Sequence, residues 1–233
     1  MEFCLNINKK DINRNDIVIG SLLGDAHIQK DGRIEIWHSI KQKDYTLWLM
    51  NLFSKFFKVY YKERTCKFGK NIEKQYKQVG FRTSVTDYAK TVRMFFYCPK
   101  KTITERQLMK LTPLGLAIWY MDDGCLSFIK DKKKNIKARQ LTISTQAYTY
   151  EENEIIVDYF KNVWNINCKI HHDREYPIIW MNGTEAMKFL NIIKDYIPEC
   201  MYYKLCPRYY GYKSDKNICG RKCENGNCPY NIV

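Results

Sequence analysis

Val18-Ile19-Gly20-Ser21-Leu22-Leu23-Gly24-Asp25-Ala26 closes one apolar helix of this chain, and Leu116-Ala117-Ile118-Trp119-Tyr120-Met121-Asp122-Asp123-Gly124 closes a second. Each nonamer is apolar through two turns and then stops at an aspartate followed by a small residue. Gly20 and Gly24, four residues apart, share one helical face and would let a partner helix approach closely, with Ala117 offering the same on the second helix. Helices packed side by side in this way bring Asp25 and Asp123 together at their C-terminal ends. Two carboxylates and the negative ends of two helix dipoles then converge, a setting that favours hard divalent cations with oxygen ligands. We therefore take Asp25 and Asp123, with their neighbours Gly24 and Asp122, as the candidate set for two or more Mg²⁺ ions. A lone Gly-Asp at a helix end is usually only a cap or turn. Its recurrence at an equivalent place gives the pair its functional weight.

Working outward, the pattern around each nonamer repeats. After Asp25 come a strand (26–30), an Asp31-Gly32 turn and a second strand (33–38), since an Asp-Gly pair between two strands is a good hairpin signal. A helix over 43–57, two basic strand-like runs and a helix over 85–96 follow. The second part gives a helix over 113–122 opened by Thr112-Pro113, a hairpin across the lysines of 130–134, and a helix over 150–164. Strands at 167–172 and 175–182 and a helix at 184–195 complete it. The reading is α+β: two pseudo-symmetric αββαββα halves, residues 1–110 and 111–205, joined through 102–111 and followed by a tail, 206–233. A fused pseudo-dimer of this kind matches the dyad of duplex DNA.

Composition supports that partner. The 233 residues carry a formal charge of +14, more than solubility requires, which points to a polyanion. No stretch approaches the ~20 apolar residues of a membrane span. The polar first 15 residues do not read as an export signal, so an intracellular location is expected, whether mitochondrion, another organelle, or bacterial or phage-infected cytoplasm. Of ten cysteines, Cys4, Cys66, Cys98, Cys125, Cys168 and Cys200 are scattered and read as buried thiols. Cys206, Cys219, Cys223 and Cys228 crowd the tail. They could close a structural Zn²⁺ site, although their spacing departs from paired C-x2-C knuckles, and free or redox-active thiols are the alternative.

The two nonamers resemble the LAGLIDADG signature, and the chain resembles double-motif, single-chain homing endonucleases, most nearly the group I intron enzymes of yeast mitochondria. The resemblance covers residues ~15 to 205 and is carried by Leu22-Leu23-Gly24-Asp25-Ala26, Lys100-Lys101-Thr102-Ile103, Leu111-Thr112-Pro113, Trp119-Tyr120-Met121-Asp122-Asp123-Gly124 and Met201-Tyr202-Tyr203-Lys204-Leu205. It implies an endonuclease acting as a monomer on a long, asymmetric duplex. Asp25 and Asp123 would bind the metals, and one lysine per half, Lys101 and Lys204, would assist at the scissile phosphate. Gly24 and Asp122 stand where the consensus has alanine, and Ile118 replaces a packing glycine, so the second helix must pack differently.

The resemblance also implies antiparallel strands laid as a saddle over the major groove, where Arg, Lys, Gln and Asn can read base edges. Candidates in the first half are His27, Gln29, Arg33, Glu35 and Trp37, then Arg64, Lys74, Tyr76, Gln78 and Arg82. In the second half they are Ser127, Lys137, Arg139, Gln140, Thr142 and Ser144, then Lys169, His171 and Trp180. Many of these would contact phosphate rather than bases. The neighbours His171 and His172 cannot point the same way from a strand, which argues against a metal site there. Two other readings of the fold remain: an RNA maturase acting on its own intron, and a non-catalytic DNA-binding regulator.

Overall fold

A computed structural model describes residues 12–67, 75–97, 100–130 and 136–205 of the chain. Helix α1 (Arg14–Leu23) leads to strands β1 (His27–Ile28) and β2 (Ile34–Ser39), helix α2 (Lys43–Ser54), strands β3 (Val59–Lys67) and β4 (Gln75–Thr83), and helix α3 (Asp87–Phe96). Helix α4 (Glu105–Leu108) follows. The second half then runs α5 (Pro113–Asp123), β5 (Gly124–Lys130), β6 (Ile136–Ile143), α6 (Tyr150–Trp164), β7 (Lys169–Asp173), β8 (Tyr176–Asn182) and α7 (Gly183–Ile193). Each half builds one antiparallel four-stranded sheet, ordered β1-β2-β4-β3 and β5-β6-β8-β7. The expected αββαββα repeat is therefore present twice, in an α+β fold.

Local chemistry explains where the elements begin and end. Gly32 adopts φ +89° in the first hairpin, a conformation that suits glycine, and its N–H donates to Gln29 O at 3.0 Å. Thr86 caps α3 by accepting from Ala89 N, which starts that helix two residues later than the sequence suggests. Thr149 and Glu152 form a reciprocal capping box at α6. Asn165 ends that helix in the left-handed conformation.

The core is organised around α1 and α5. Asp16–Leu23 of the first and Leu114–Met121 of the second are buried without interruption, as expected of helices that are apolar on all sides. Their closest approach is Gly20 against Gly115, where a Cβ on Gly20 would collide with the Gly115 backbone. Gly115, two residues earlier than expected, supplies the small surface assigned to Ala117. This also answers how the second helix manages without glycine at Ile118. Asp16 adds a polar lock between the helices, its Oδ1 accepting from Thr112 N at 2.8 Å just ahead of α5.

The connection between the halves is not a loose tether. A capping box, Thr104 with Gln107, opens α4, and Ile103, Leu108 and Leu111 are buried. Glu152 of α6 holds the same segment by accepting from Ile103 N at 2.9 Å. Among the described cysteines only Cys168 is buried; Cys66 and Cys125 are partly covered and Cys200 is exposed, a correction to the expectation of buried thiols. Cys4, Cys98 and the four tail cysteines lie outside the described residues. Among the described residues, no helix is long and apolar enough to cross a membrane.

Because backbone lies on backbone at the helix crossing, neither neighbour can move aside for a side chain. Gly20→Ala is expected to cost at least ~1–3 kcal/mol, read as a lowered urea midpoint with an unchanged slope. Ala117→Gly should cost only the ~1 kcal/mol of helix propensity plus the lost methyl packing.

Candidate active site and nucleic-acid interface

Both acids leave their helices at the junction with a sheet. Gly24 closes α1, its N–H donating to Gly20 O, and Asp25 stands between this cap and β1. Asp123 is the last residue of α5, and Gly124 both caps that helix and begins β5. The residues just before the two acids meet across the pseudo-dyad. A Cβ on Gly24 would fall on the Asp122 carboxylate, so the acid of one half fills the space left by the glycine of the other.

That carboxylate is wholly buried and reaches into the first half. Asp122 Oδ2 accepts from Asp25 N at 3.2 Å, and Oδ1 accepts from the Tyr45 hydroxyl at 2.6 Å. His38, at the end of β2, places Nε2 3.5 Å from Asp25 Oδ2 and 3.7 Å from Asp122 Oδ1. Asp25, Asp122 and His38 each offer one ligand atom, all within 4.8 Å of one another. A divalent cation fits this donor set, and Asp123 offers a further carboxylate beside it. Strand alternation predicts only that His38 faces inward; the signal that singles it out is its position four residues beyond the inward-facing Ile34 on a strand reaching the acids.

Lys101 and Lys204 both arrive at this point. Lys101 is held by a bridge with Tyr97, and its Nζ donates to Gly24 O at 3.3 Å. Lys204 ends a 3-10 turn (Glu199–Lys204); its Nζ donates to Gly124 O at 2.7 Å while its own carbonyl accepts from the Tyr120 hydroxyl at 2.7 Å. Lys204 is only 7% exposed. Lys100 makes no contact that would place it in the site.

The electrostatics are those of crowded charges removed from water. Burial pushes the Asp25 and Asp123 carboxyls above their ordinary range, and Asp122 adds to this for both; Asp123 rises to about 7. Burial likewise lowers both lysine ammonium groups, against the pull of the aspartates. Tyr148, buried beside Asp123, is raised by burial and by that carboxylate. Such opposed shifts in one place are typical of functional sites.

From the acids the strands carry rows of outward side chains. In the first half His27, Glu35, Arg82 and Tyr60 form one row across all four strands, and Trp37, Gly80 and Lys62 form the next. Gly80 lacks a side chain because the Trp37 ring lies over it. Arg64 stacks on Trp37, 3.8 Å from the ring centre, and donates from Nε to Gln78 Oε1 at 2.8 Å. Tyr76, across from Cys66, extends the face. Gln29 donates to Glu35 at 3.2 Å, and Arg33 pairs with Asp31 at the hairpin tip. Tyr60 and Lys62 also belong to these rows, although neither was expected there; Tyr60 and Tyr61 are both exposed on this edge strand, so burial along it gives no alternation that would have singled them out.

In the second half Cys125, Thr142, Trp180 and Lys169 form a row, with Ser127, Gln140 and Asn182 beside it. Gln140 Oε1 accepts from Trp180 Nε1 at 3.0 Å, and His171 stacks on Trp180 at 4.4 Å. His172 instead stacks on Tyr150, so the two histidines diverge as expected. The structure does not bring Arg139 to this face: it has the opposite parity to Gln140 and Thr142 and donates to Met187 Sδ of α7. Ser144 follows β6 and donates from its backbone to Asp123 O at 3.0 Å. Lys74 lies outside the described residues, as do 131–134 of the lysine-rich turn. Lys137 lies on β6, with its side chain outside the described set.

Two stacked helices with an acid at each C-terminal end, flanked by two antiparallel sheets with polar and aromatic outer rows, define a double-motif fold of the LAGLIDADG type. The model of the LAGLIDADG DNA endonuclease family matches residues 15–189, and the chain belongs to that family. It is 27% identical over 203 residues to the "Probable intron-encoded endonuclease 1" of Wickerhamomyces canadensis, covering 82% of this chain and 83% of that protein. It is also 26% identical over 211 residues to Protein RecA of Mycolicibacterium chitae, a match that covers 84% of this chain; the chain thus spans only about half (47%) of that relative. In fold it matches the homing endonuclease I-WcaI bound to its DNA recognition sequence, with a TM-score of 0.71 and 24% identity over 83% of this chain and 86% of that one.

The raised Asp123 carboxyl makes a pH prediction. Its folded-state pKa, about 7, lies above its ordinary value near 3.8, so the native chain holds this proton more tightly than the unfolded chain does. Its contribution to stability is full below the ordinary value and is lost as pH rises through 7. In EDTA, Asp123→Asn should therefore gain stability relative to the wild type between pH 5 and pH 8, measured by urea unfolding at both. Parallel pH dependences would refute this.

Proposed function

We propose that the chain is a site-specific homing endonuclease that makes a metal-dependent double-strand break in a long, asymmetric DNA target. The observation that carries this reading is the placing of Asp25 and Asp123, one from each repeat, at the ends of two helices in backbone contact and within electrostatic reach of each other, with Lys204 buried and Lys101 half-buried beside them. A bound divalent ion would supply Lewis-acid stabilisation of the phosphodiester and an acidified water. Asp25 and Asp123 would hold such ions, one at each end of the site, while Asp122 accepts from the Asp25 backbone and Tyr45 orients Asp122. Lys101 and Lys204 carry positive charge to the place where negative charge develops on phosphate oxygens, in a partly desolvated site where it acts strongly. Their hydrogen bonds to the Gly24 and Gly124 carbonyls fix them without neutralising them.

The two outer faces support an asymmetric target, since they present different side chains at equivalent places. Arg64, Gln78 and Arg82 surround Trp37 in one half, whereas Gln140, Thr142 and Lys169 surround Trp180 in the other. Gln78 and Gln140 each have the side-chain carbonyl occupied, by Arg64 and Trp180 respectively. Each therefore offers its NH₂ group to a base-edge acceptor. One chain contains both half-site readers, so the unit acting on DNA is a monomer. Structural zinc at Cys206, Cys219, Cys223 and Cys228 is part of the proposal for the tail, read by metal analysis of the purified full chain.

Cleavage of a randomised duplex library with Mg²⁺ or with EDTA tests the reading. Cutting at one sequence by the wild type, reduced at least ~10³-fold in Asp25→Asn and Asp123→Asn while duplex binding persists, is expected for loss of essential charge stabilisation. Undiminished cutting by those variants would sink it. Binding of intron RNA without cutting would favour a maturase, and duplex binding alone a regulator. On a cleavable target, Gln78→Ala should relax preference at one position by ~1–3 kcal/mol. Lys169→Ala should instead weaken all sequences alike and reduce the salt dependence of binding by about one phosphate contact.

A further inference from the structure

The Asp25 end of the site contains a nitrogen donor that the second half does not repeat. His38 is 1% exposed at its side chain, and Nδ1 lies 2.9 Å from Thr46 Oγ1. The single hydroxyl proton of Thr46 is donated to Gln42 O at 3.0 Å. Thr46 is therefore the acceptor in its bond with His38, and Nδ1 carries the hydrogen. In that tautomer Nε2 presents a bare lone pair. It has no hydrogen-bond partner, and it faces one oxygen each of Asp25 and Asp122, 3.5 and 3.7 Å away. With the ring neutral, three electron-rich atoms face one another and outline a cation's coordination shell.

Sheet register identifies the equivalent place in the second half. His27 pairs with Glu35, and Cys125 pairs with Thr142; three residues further along the chain from Glu35 and Thr142 stand His38 and Thr145. Both close a bond to the residue eight further on, His38 to Thr46 and Thr145 to Asn153. The scaffold is thus shared, but Thr145 brings no nitrogen. The other break in symmetry is Asp122 opposite Gly24. Two independent departures from the repeat, one in each half, meet at a single point.

We infer that Asp25, Asp122 and His38 form a three-donor divalent-cation site, confined to the Asp25 end, that binds imidazole-accepting transition ions such as Mn²⁺ and Co²⁺ more tightly than Mg²⁺ or Ca²⁺. The inference rests on reading Asp25 as a metal ligand and adds the donor that sets the ion's identity. Ligand atoms around a tetrahedral ion with ~2.1 Å bonds stand about 3.4 Å apart, close to the His38 separations observed. Imidazole is accepted by divalent first-row transition ions, Mn²⁺ the weakest binder among them, whereas Mg²⁺ and Ca²⁺ prefer oxygen. Thr46 on the far ring nitrogen and Tyr45 on Asp122 are the orienting partners such ligands need. At the other end Asp123 has Lys101 and no imidazole, so the two ends of the site are chemically unequal.

Mn²⁺ is the suitable probe, because the tail thiolates favour softer ions. Titration of the full chain without DNA, followed by loss of the free-Mn²⁺ paramagnetic resonance signal, gives affinity. Spin-echo modulation then reports whether a ¹⁴N nucleus coordinates the bound ion. One tight Mn²⁺ per chain with ¹⁴N coupling is expected, persisting in Asp123→Asn. His38→Gln, and separately Asp122→Asn, should weaken that site by ~10–100-fold or more, with His38→Gln also abolishing the coupling. Thermal melts show whether the variants fold, and the wild-type coupling needs no variant. Bound Mn²⁺ without ¹⁴N coupling, or no tight Mn²⁺ at all, would overturn the inference even if Mg²⁺ supports cutting. Nitrogen-coordinated Mn²⁺ in a protein that cuts no DNA would instead sink the nuclease reading and leave the site standing.

Discussion

Backbone contact between α1 and α5 at Gly20 and Gly115 sets the position of everything else in the molecule. Only glycine lets two helices come this near, and at that distance the positions one turn further along α1 and two turns further along α5 have no room to diverge. Gly24 and Asp122 are therefore pressed together, and Asp25 and Asp123 emerge on either side of them. Each helix runs directly into the first strand of its own sheet, so the crossing also fixes the two outer faces relative to the acids. Recognition surface and reactive centre share one geometric origin.

The same closeness creates an electrostatic conflict that the apo chain does not resolve internally. Three carboxylates and two ammonium groups meet in a partly desolvated site, and burial works against the charged form of Asp25, Asp123, Lys101 and Lys204 alike. Moving the acids apart would relieve the repulsion but would break the glycine contact on which the core depends. In the proposed function, bound cations and the phosphate backbone would relieve it with the helices in place. Stability of the free protein and readiness for its partner are therefore opposed at this point, as is common where function is concentrated.

Much of this was legible in the sequence because the repeat states it twice. Apolar helices ending in an acid and a small residue, each followed by alternating strands, give the αββαββα order, and the extended faces follow from alternation. What escaped has physical causes. Ala117 was a reasonable contact by analogy with Gly20, but the crossing point depends on the angle between the helices, which no local pattern records. Arg139 looks like its neighbours on a strand with polar residues at successive positions, so composition does not show which parity faces outward; alternation with Gln140 and Thr142 puts it on the other face, against α7. His38 and Tyr45 acquire meaning only when Asp122 is placed beside them from 77 or more residues away. A composite site built across the dyad has no signature in either half alone.

The places where the halves disagree are as informative as those where they agree. A fused pseudo-dimer could keep both ends of its site identical, and the shared bond from the strand end to the residue eight further on shows how much of the frame has been kept. Gly24 against Asp122 is a steric complement: if both positions carried carboxylates, the second would occupy the space of the first. Once one half takes the acid, the other must stay small, and residues facing that acid are no longer under equivalent constraints. Tyr45 and His38 lie on the side toward which Asp122 points, and both engage it. The asymmetry of the reactive centre thus follows from the symmetry of the helix contact, because a contact this close has room for one carboxylate and not for two.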